Sequence, residues 1–232
     1  MNIKKLFATL ALSTFALNAS AWVVTFSGII DYGFDNTGVF GVANQNLAGL
    51  GFTQSITANT DPAMWTISSG NSFFKEMSGF GPAFTNTVTV NGYSVTFDVD
   101  ATSYGRQTLF DQLSTLGGGQ DLLWTEQRGS VANGDLIWGQ QYAFSNTSAF
   151  VPSLDFNQTI EHDGVGLNSY AHFTITGGRN AHFYSYNNAF VINKLPDVNP
   201  PKEVSEPATM GLLFGALGLL GLIRLRKMRD SL

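Results

Sequence analysis

The chain has 232 residues, of which 44% are hydrophobic, 13% aromatic and only 12% charged, about half the charged fraction usual for a soluble domain. It contains no cysteine, which excludes disulfides, thiolate metal sites and cysteine nucleophiles together. The formal charge is −5 overall, but the span 22–206 holds 6 Lys and Arg against 16 Asp and Glu, a net −10; a surface this acidic repels phosphate backbones and excludes nucleic acid as a partner.

At the N-terminus Lys4 and Lys5 precede an apolar run over residues 6–17, followed by Ala19-Ser20-Ala21. Positive charge, a short apolar stretch and small residues at −3 and −1 are the three regions of a secretory signal peptide, here residues 1–21, cleaved by signal peptidase after Ala21. The run falls short of the roughly 20 residues that span a bilayer.

Residues 22–195 read as one β-rich exported domain, long enough for a sizeable core. Thr87-Val88-Thr89-Val90 and Tyr93-Ser94-Val95-Thr96-Phe97 alternate apolar and polar residues around Asn91-Gly92, a hairpin signal because a type I′ turn needs positive φ at both central positions. Asn133-Gly134 marks a second turn between Val131 and Leu136-Ile137-Trp138. Further strand-like runs cover residues 22–26, 52–56, 63–67, 171–176, 181–186 and 190–192. Residues 106–116 carry Leu109, Phe110, Leu113 and Leu116 at helical spacing and predict a short surface helix. Short strands separated by turn residues give an all-β fold, a β-sandwich or a jelly-roll-like arrangement.

Several residue sets carry candidate chemistry. Asp31, Asp35, Asn36 and Thr37 cluster in a glycine-containing loop, which reads as a backbone-bonding turn or an oxygen site for calcium, although the spacing is not that of an EF-hand. His162, His172 and His182 are the only histidines; zinc needs three or four such groups converging, and their separation favours independent roles, so no metal or cofactor is expected. Asp98, Asp100, Glu126, Asp155 and Glu161 include any carboxylate pair for glycoside hydrolysis, but no nucleophile elbow, HExxH or phosphate loop is present, and the expectation is a non-enzymatic protein with no catalytic residue. Trp65, Trp124, Trp138, Tyr142, Phe183, Tyr184 and Tyr186 either pack the core, the usual fate of aromatic rings, or offer a platform for sugar C–H faces.

Beyond a proline-rich linker over residues 196–204 stand Ser205-Glu206-Pro207-Ala208-Thr209, an apolar stretch over 208–223, and a tail over 224–232 with Arg224, Arg226, Lys227 and Arg229. Clustered positive charge after an apolar helix stops translocation with that charge in the cytoplasm. At 1.5 Å per residue the helix reaches about 24 Å, short of a hydrocarbon core of about 30 Å, and snorkelling of Arg224 and Arg226 makes up part of the difference.

The order of motif, Gly- and Leu-rich helix and basic end over residues 205–232 resembles the PEP-CTERM sorting signal of exported Gram-negative proteins, with Ser205 in place of the family's first proline. The alternative is an ordinary single-pass anchor. The resemblance implies recognition at Glu206 and Pro207 by an exosortase-like membrane enzyme, an inner-membrane intermediate with a cytoplasmic C-terminus, and release to the cell surface or extracellular space. Residues 26–41 resemble the opening strand and loop of other domains bearing this tail. The implied role is structural or adhesive in an extracellular polysaccharide matrix; a carbohydrate-binding module is the alternative, and a secreted hydrolase a third reading.

Overall fold

The computed structural model describes residues 22–194, apart from 117 and 157. The signal segment with Ala19 and Ala21, the linker and the sorting segment, Ser205 to Thr209 and the four basic residues included, lie outside the described residues.

The strands in chain order are β1 (Trp22–Ile29), β2 (Tyr32–Asp35), β3 (Gln45–Asn46), β4 (Gly51–Ala58), β5 (Trp65–Asn71), β6 (Phe74–Phe80), β7 (Phe84–Val90) and β8 (Tyr93–Phe97). They continue with β9 (Tyr104–Asp111), β10 (Asp121–Ser130), β11 (Leu136–Ser145), β12 (Ile160–His162), β13 (Asn168–Thr176), β14 (Ala181–Tyr186) and β15 (Ala189–Lys194). They form two sheets, one of six strands in the order β12-β15-β1-β4-β7-β8 and one of nine in the order β3-β2-β14-β13-β11-β10-β9-β6-β5. Every strand pair is antiparallel. The chain crosses repeatedly between the two sheets, so the fold is all-β, with two antiparallel sheets facing one another across one core, consistent with a β-sandwich.

Alternation along each strand sends one residue in two into that core. Val24 and Phe26 of β1, Ile56 of β4, Val88 of β7 and Phe190 of β15 meet Leu109, Leu123, Phe173 and Phe183 of the facing sheet, all essentially buried. Phe97 lies over Phe173 with ring centroids 5.0 Å apart. Amides join the rings in the core. Gln107 donates from Nε2 to the Ile56 carbonyl at 3.0 Å and Gln54 to the His172 carbonyl at 3.3 Å, while Gln127 and Gln141 reach the Phe84 and Gln54 carbonyls. Each of these bonds runs from one sheet to the other, using the spare lone pair of a ladder carbonyl. Gly139 makes room for them: a Cβ there would stand 2.0 Å from Asn86 Nδ2.

Asn91 and Gly92 both take positive φ, 49° and 85°, and close β7 onto β8 as a type I′ turn. At the second turn only Gly134 does so, at 85°; Gly134 N bonds the Val131 carbonyl and Val131 N the Asp135 carbonyl, a three-residue loop ending in a glycine bulge. The helix expected over residues 106–116 is corrected: Tyr104–Asp111 is strand β9, paired on both sides, and only Leu113–Leu116 makes a helical turn. Two full ladders satisfy the backbone better than a marginal surface helix does, and Leu109 and Phe110 lie on opposite faces of the sheet. The run at 63–67 is likewise part turn, since Pro62–Met64 forms a 3₁₀ turn capped by Asp61 before β5 begins at Trp65.

The outer face of the six-stranded sheet is uniform. Thr25, Ser55, Thr87 and Thr96 stand opposite one another across β1, β4, β7 and β8, and Ser27, Thr53, Thr89 and Ser94 form the next row. Their hydroxyls bond across strands, Thr25 to Ser55 at 2.8 Å, Thr87 to Thr96 at 2.9 Å and Thr89 to Ser94 at 3.0 Å.

Candidate functional site

The outer face of the nine-stranded sheet is different. Trp124, Tyr142, Tyr170 and Tyr186 stand opposite one another on β10, β11, β13 and β14. The next row runs Glu126, Gln140, His172, Tyr184 and Tyr32, and the third Arg128, Trp138, Thr174, His182 and Phe34. From β10 to β2 is four strand spacings, about 19 Å. The rings touch in a chain: Phe144 stacks on Tyr142 at 5.3 Å, Tyr142 meets Tyr170 at 6.4 Å, Tyr170 meets Tyr186 at 5.3 Å, and Tyr184 meets Tyr32 at 6.3 Å. Trp138, Tyr186 and Tyr32 are 44%, 56% and 62% exposed.

His172 is the centre of this surface. Its ring stacks on Tyr184 at 4.6 Å and takes Trp138 edge-on at 4.6 Å, and Nε2 pairs with the Thr174 hydroxyl at 2.7 Å. Burial, with a smaller contribution from neighbouring His182, pulls its pKa down to about 4, so the imidazole is neutral at physiological pH. Burial, helped by Tyr184 and Tyr186, pushes the Tyr170 phenol up to about 12. The imidazole and the phenol at the middle of this surface are therefore both uncharged at physiological pH.

At one end a groove of about 420 Å³ is lined by Leu122, Trp124, Tyr142, Phe144 and Tyr170, with the amides of Gln120 and Gln140. Arg106 closes its flank: the guanidinium lies 3.8 Å from the Trp124 ring centroid and pairs with Glu126 at 3.4 Å and Glu76 at 3.6 Å, while Arg128 reaches Glu126 at 3.9 Å. Apolar ring faces with neutral amide donors and acceptors beside them can hold a polyhydroxylated ring by C–H/π contact and hydrogen bonds at its rim. The nearest carboxylates are held in ion pairs.

Of the seven aromatic residues singled out in the sequence, Trp124, Trp138, Tyr142, Tyr184 and Tyr186 share this outer face, which corrects the expectation that such rings fill the core. Phe183 is in the core and Trp65 packs against it. Tyr32, Tyr170, His172 and Phe144 complete the surface and were not anticipated; the alternation of Tyr170, His172 and Thr174 along β13 is the signal that could have found them.

The other candidates separate. Asp35 is fully buried, its carboxylate accepting from the backbone N–H groups of Thr37, Gly38, Val39 and Phe40, and Asp31 accepts from Tyr186 N, so the loop is a turn organised by Asp35. His172 and His182 occupy neighbouring strands of one sheet while His162 is on β12 of the other; among the described residues no three His, Asp or Glu side chains are grouped to hold a metal ion. Of the five carboxylates, Glu126 lies beside the groove, Glu161 is on the other sheet and Asp155 lines a separate pocket with Trp22 and Trp65, while Asp98 and Asp100 follow β8; Asp100 accepts from Thr102 and Ser103. Among the described residues no helix is long and apolar enough to cross a membrane.

Comparison with known protein families, curated proteins and solved structures finds no match to this chain.

Proposed function

We propose that this chain is an exported surface or matrix protein with a non-enzymatic, adhesive role, and that its aromatic sheet face grips extracellular polysaccharide. The single observation that carries this is the patch of touching, part-exposed rings across β11, β13, β14 and β2, with Trp124 and two neutral amides at its groove. Rings left on a solvent face lose the stabilisation that burial would give them, and a ligand that covers them restores it. The groove is lined by no carboxylate, and Glu126 and Glu76 beside it share Arg106 at 3.4 and 3.6 Å, which favours binding over a two-carboxylate hydrolysis.

In this reading the domain is a β-sandwich flanked by a signal peptide and a C-terminal membrane helix. Signal peptidase removes residues 1–21, the helix over 208–223 with Arg224, Arg226, Lys227 and Arg229 holds the chain in the inner membrane, and an exosortase-like enzyme acts near Glu206-Pro207. The support for this routing is the order of the three C-terminal features and the acidic, cysteine-free domain between the two apolar ends. The binding claim is tested by retention on an immobilised neutral β-glucan and on polysaccharide stripped from the host's own surface. The wild type is expected to be retarded on at least one and a Trp138→Ala/Tyr142→Ala variant to run free; equal mobility of the two on both matrices would remove the binding claim. Intact mass of protein from the cell surface tests the routing, with loss of both ends expected.

A further inference from the structure

Among the described residues four strands lie at the sheet edges, β12 and β8 in one sheet, β3 and β5 in the other. An open edge is a template for another chain, and proteins blunt it with short strands, charges or bulges. β3 has two residues and β12 three with Glu161 among them; β5 is interrupted between Ser68 and Asn71. β8, Tyr-Ser-Val-Thr-Phe, has none of these devices: it is five residues of regular, uncharged strand with Ser94 and Thr96 exposed.

We propose that β8 pairs antiparallel with β8 of a second copy of this chain, about a two-fold axis at Val95, joining the two six-stranded sheets into one. The hairpin fixes the geometry. A two-residue turn makes Val90 and Tyr93 a hydrogen-bonded pair, so the backbone groups of Tyr93, Val95 and Phe97 point to β7 and those of Ser94 and Thr96 point outward. With Val95 on the axis, Ser94 faces Thr96 of the second copy and Thr96 faces its Ser94, two narrow pairs that satisfy all four outward N–H and C=O groups on each chain. The side chains agree with the backbone, because the hydroxyl rows that end at Thr96 and Ser94 continue into the same rows of the second copy.

Charge and shape select this occupant. A domain with 13 Asp and Glu against 5 Lys and Arg over residues 22–195, a net −8, repels its own copies, and they meet most readily where charge is absent; residues 84–97 contain no charged side chain. The pairing also places Tyr93 of the second copy opposite Phe97, where a depression of about 380 Å³ lined by Thr96, Phe97, Val131 and Asn133, with the opposite charges of Asp98 and Arg179 at its wall, opens beside the strand. Tyr93 is itself 52% exposed.

The absence of cysteine makes the test clean. In a non-hydrogen-bonded pair the two Val95 Cα atoms would stand about 4.5 Å apart, inside the range for a disulfide. The full chain carrying Val95→Cys, expressed in its own cells and treated with a mild oxidant, is expected to run as a disulfide-linked dimer on a non-reducing gel. Thr25→Cys, on central strand β1, is expected to stay monomeric, and adding Thr96→Pro to Val95→Cys, which removes an outward N–H without touching the ladder to β7, is expected to abolish the dimer. Resistance to proteolysis shows that each variant is folded; should Thr96→Pro unfold the chain, Thr96→Lys takes its place and is expected to give the same loss. No more dimer from Val95→Cys than from Thr25→Cys, or a dimer that persists in the folded Thr96→Pro or Thr96→Lys background, would overturn the proposal.

Discussion

The two outer faces of this molecule cover the same core and are built on the same antiparallel ladders, yet they are opposite surfaces. Across β1, β4, β7 and β8 the outward residues are Thr and Ser, whose hydroxyls bond one another. Across β11, β13, β14 and β2 they include Trp138, Tyr142, Tyr170, His172, Tyr184, Tyr186 and Tyr32 in a chain of ring contacts, with Trp124 beside them on β10. A hydroxyl face is content in water because its polar groups are satisfied by solvent and by neighbours. A ring face is not, since contiguous exposed apolar surface marks an interaction site. In the proposed function ligand contact falls to the nine-stranded sheet, and in the proposed dimer the six-stranded sheet associates through its edge.

The two sides of β14 differ most. Phe183→Ala removes a fully buried ring and is expected to lower stability by roughly 3–5 kcal/mol, read by chemical denaturation. Tyr184→Ala, one residue on and facing outward, is expected to cost much less stability while weakening polysaccharide binding; an equal loss of stability from both would mean that the outer face is part of the core. Across the sheet, Tyr142→Ala is expected to weaken binding by roughly tenfold, about 1.4 kcal/mol, measured by affinity electrophoresis.

The pH response separates the face from the loops. His172 stays neutral in the fold down to about pH 4 because burial disfavours its charged form, whereas the unfolded chain takes up that proton below the ordinary value of 6.5. The unfolded state binds more protons in that window, so stability is expected to fall as pH drops from 6.5 through about 4. His172→Phe should flatten this part of a denaturant-midpoint curve. A second loss is expected lower down, from 3.8 towards about 2, where Asp135 is protonated: Arg179, 2.7 Å away, and Asn133 hold its carboxylate low. Asp135→Asn removes that second window and leaves the first. The smallest effect is on the hydroxyl face, where Thr87→Val is expected to change stability by no more than about 0.5 kcal/mol and binding not at all.

Much of this was legible in the sequence. Asn91-Gly92 announced its turn because few residues tolerate positive φ, and the alternation in residues 87–97 announced β7 and β8. What could not be read was parity. In β11, Leu136, Trp138, Tyr142 and Phe144 alternate with Ile137, Gly139, Gln141 and Ala143, and the larger rings would ordinarily face inward. They face outward because the interior layer is made of small residues and of glutamines that bond across to the other sheet, a pairing of distant residues that no local pattern reports. The same blindness made β9 resemble a helix, since Leu109 and Phe110 serve opposite faces. The carboxylate that approaches Glu126 through Arg106 is Glu76, fifty residues earlier in the chain, and only the register of β6, β9 and β10 brings them together.

The most direct test of the aromatic face uses the chain's four tryptophans, two of them on that face and two, Trp22 and Trp65, on the core side. Titration of tryptophan fluorescence with the host's surface polysaccharide is expected to give a saturable change that survives Trp22→Phe/Trp65→Phe and disappears in Trp124→Phe/Trp138→Phe. A change that survives the second pair of substitutions and is lost with the first would place the ligand elsewhere and contradict the account.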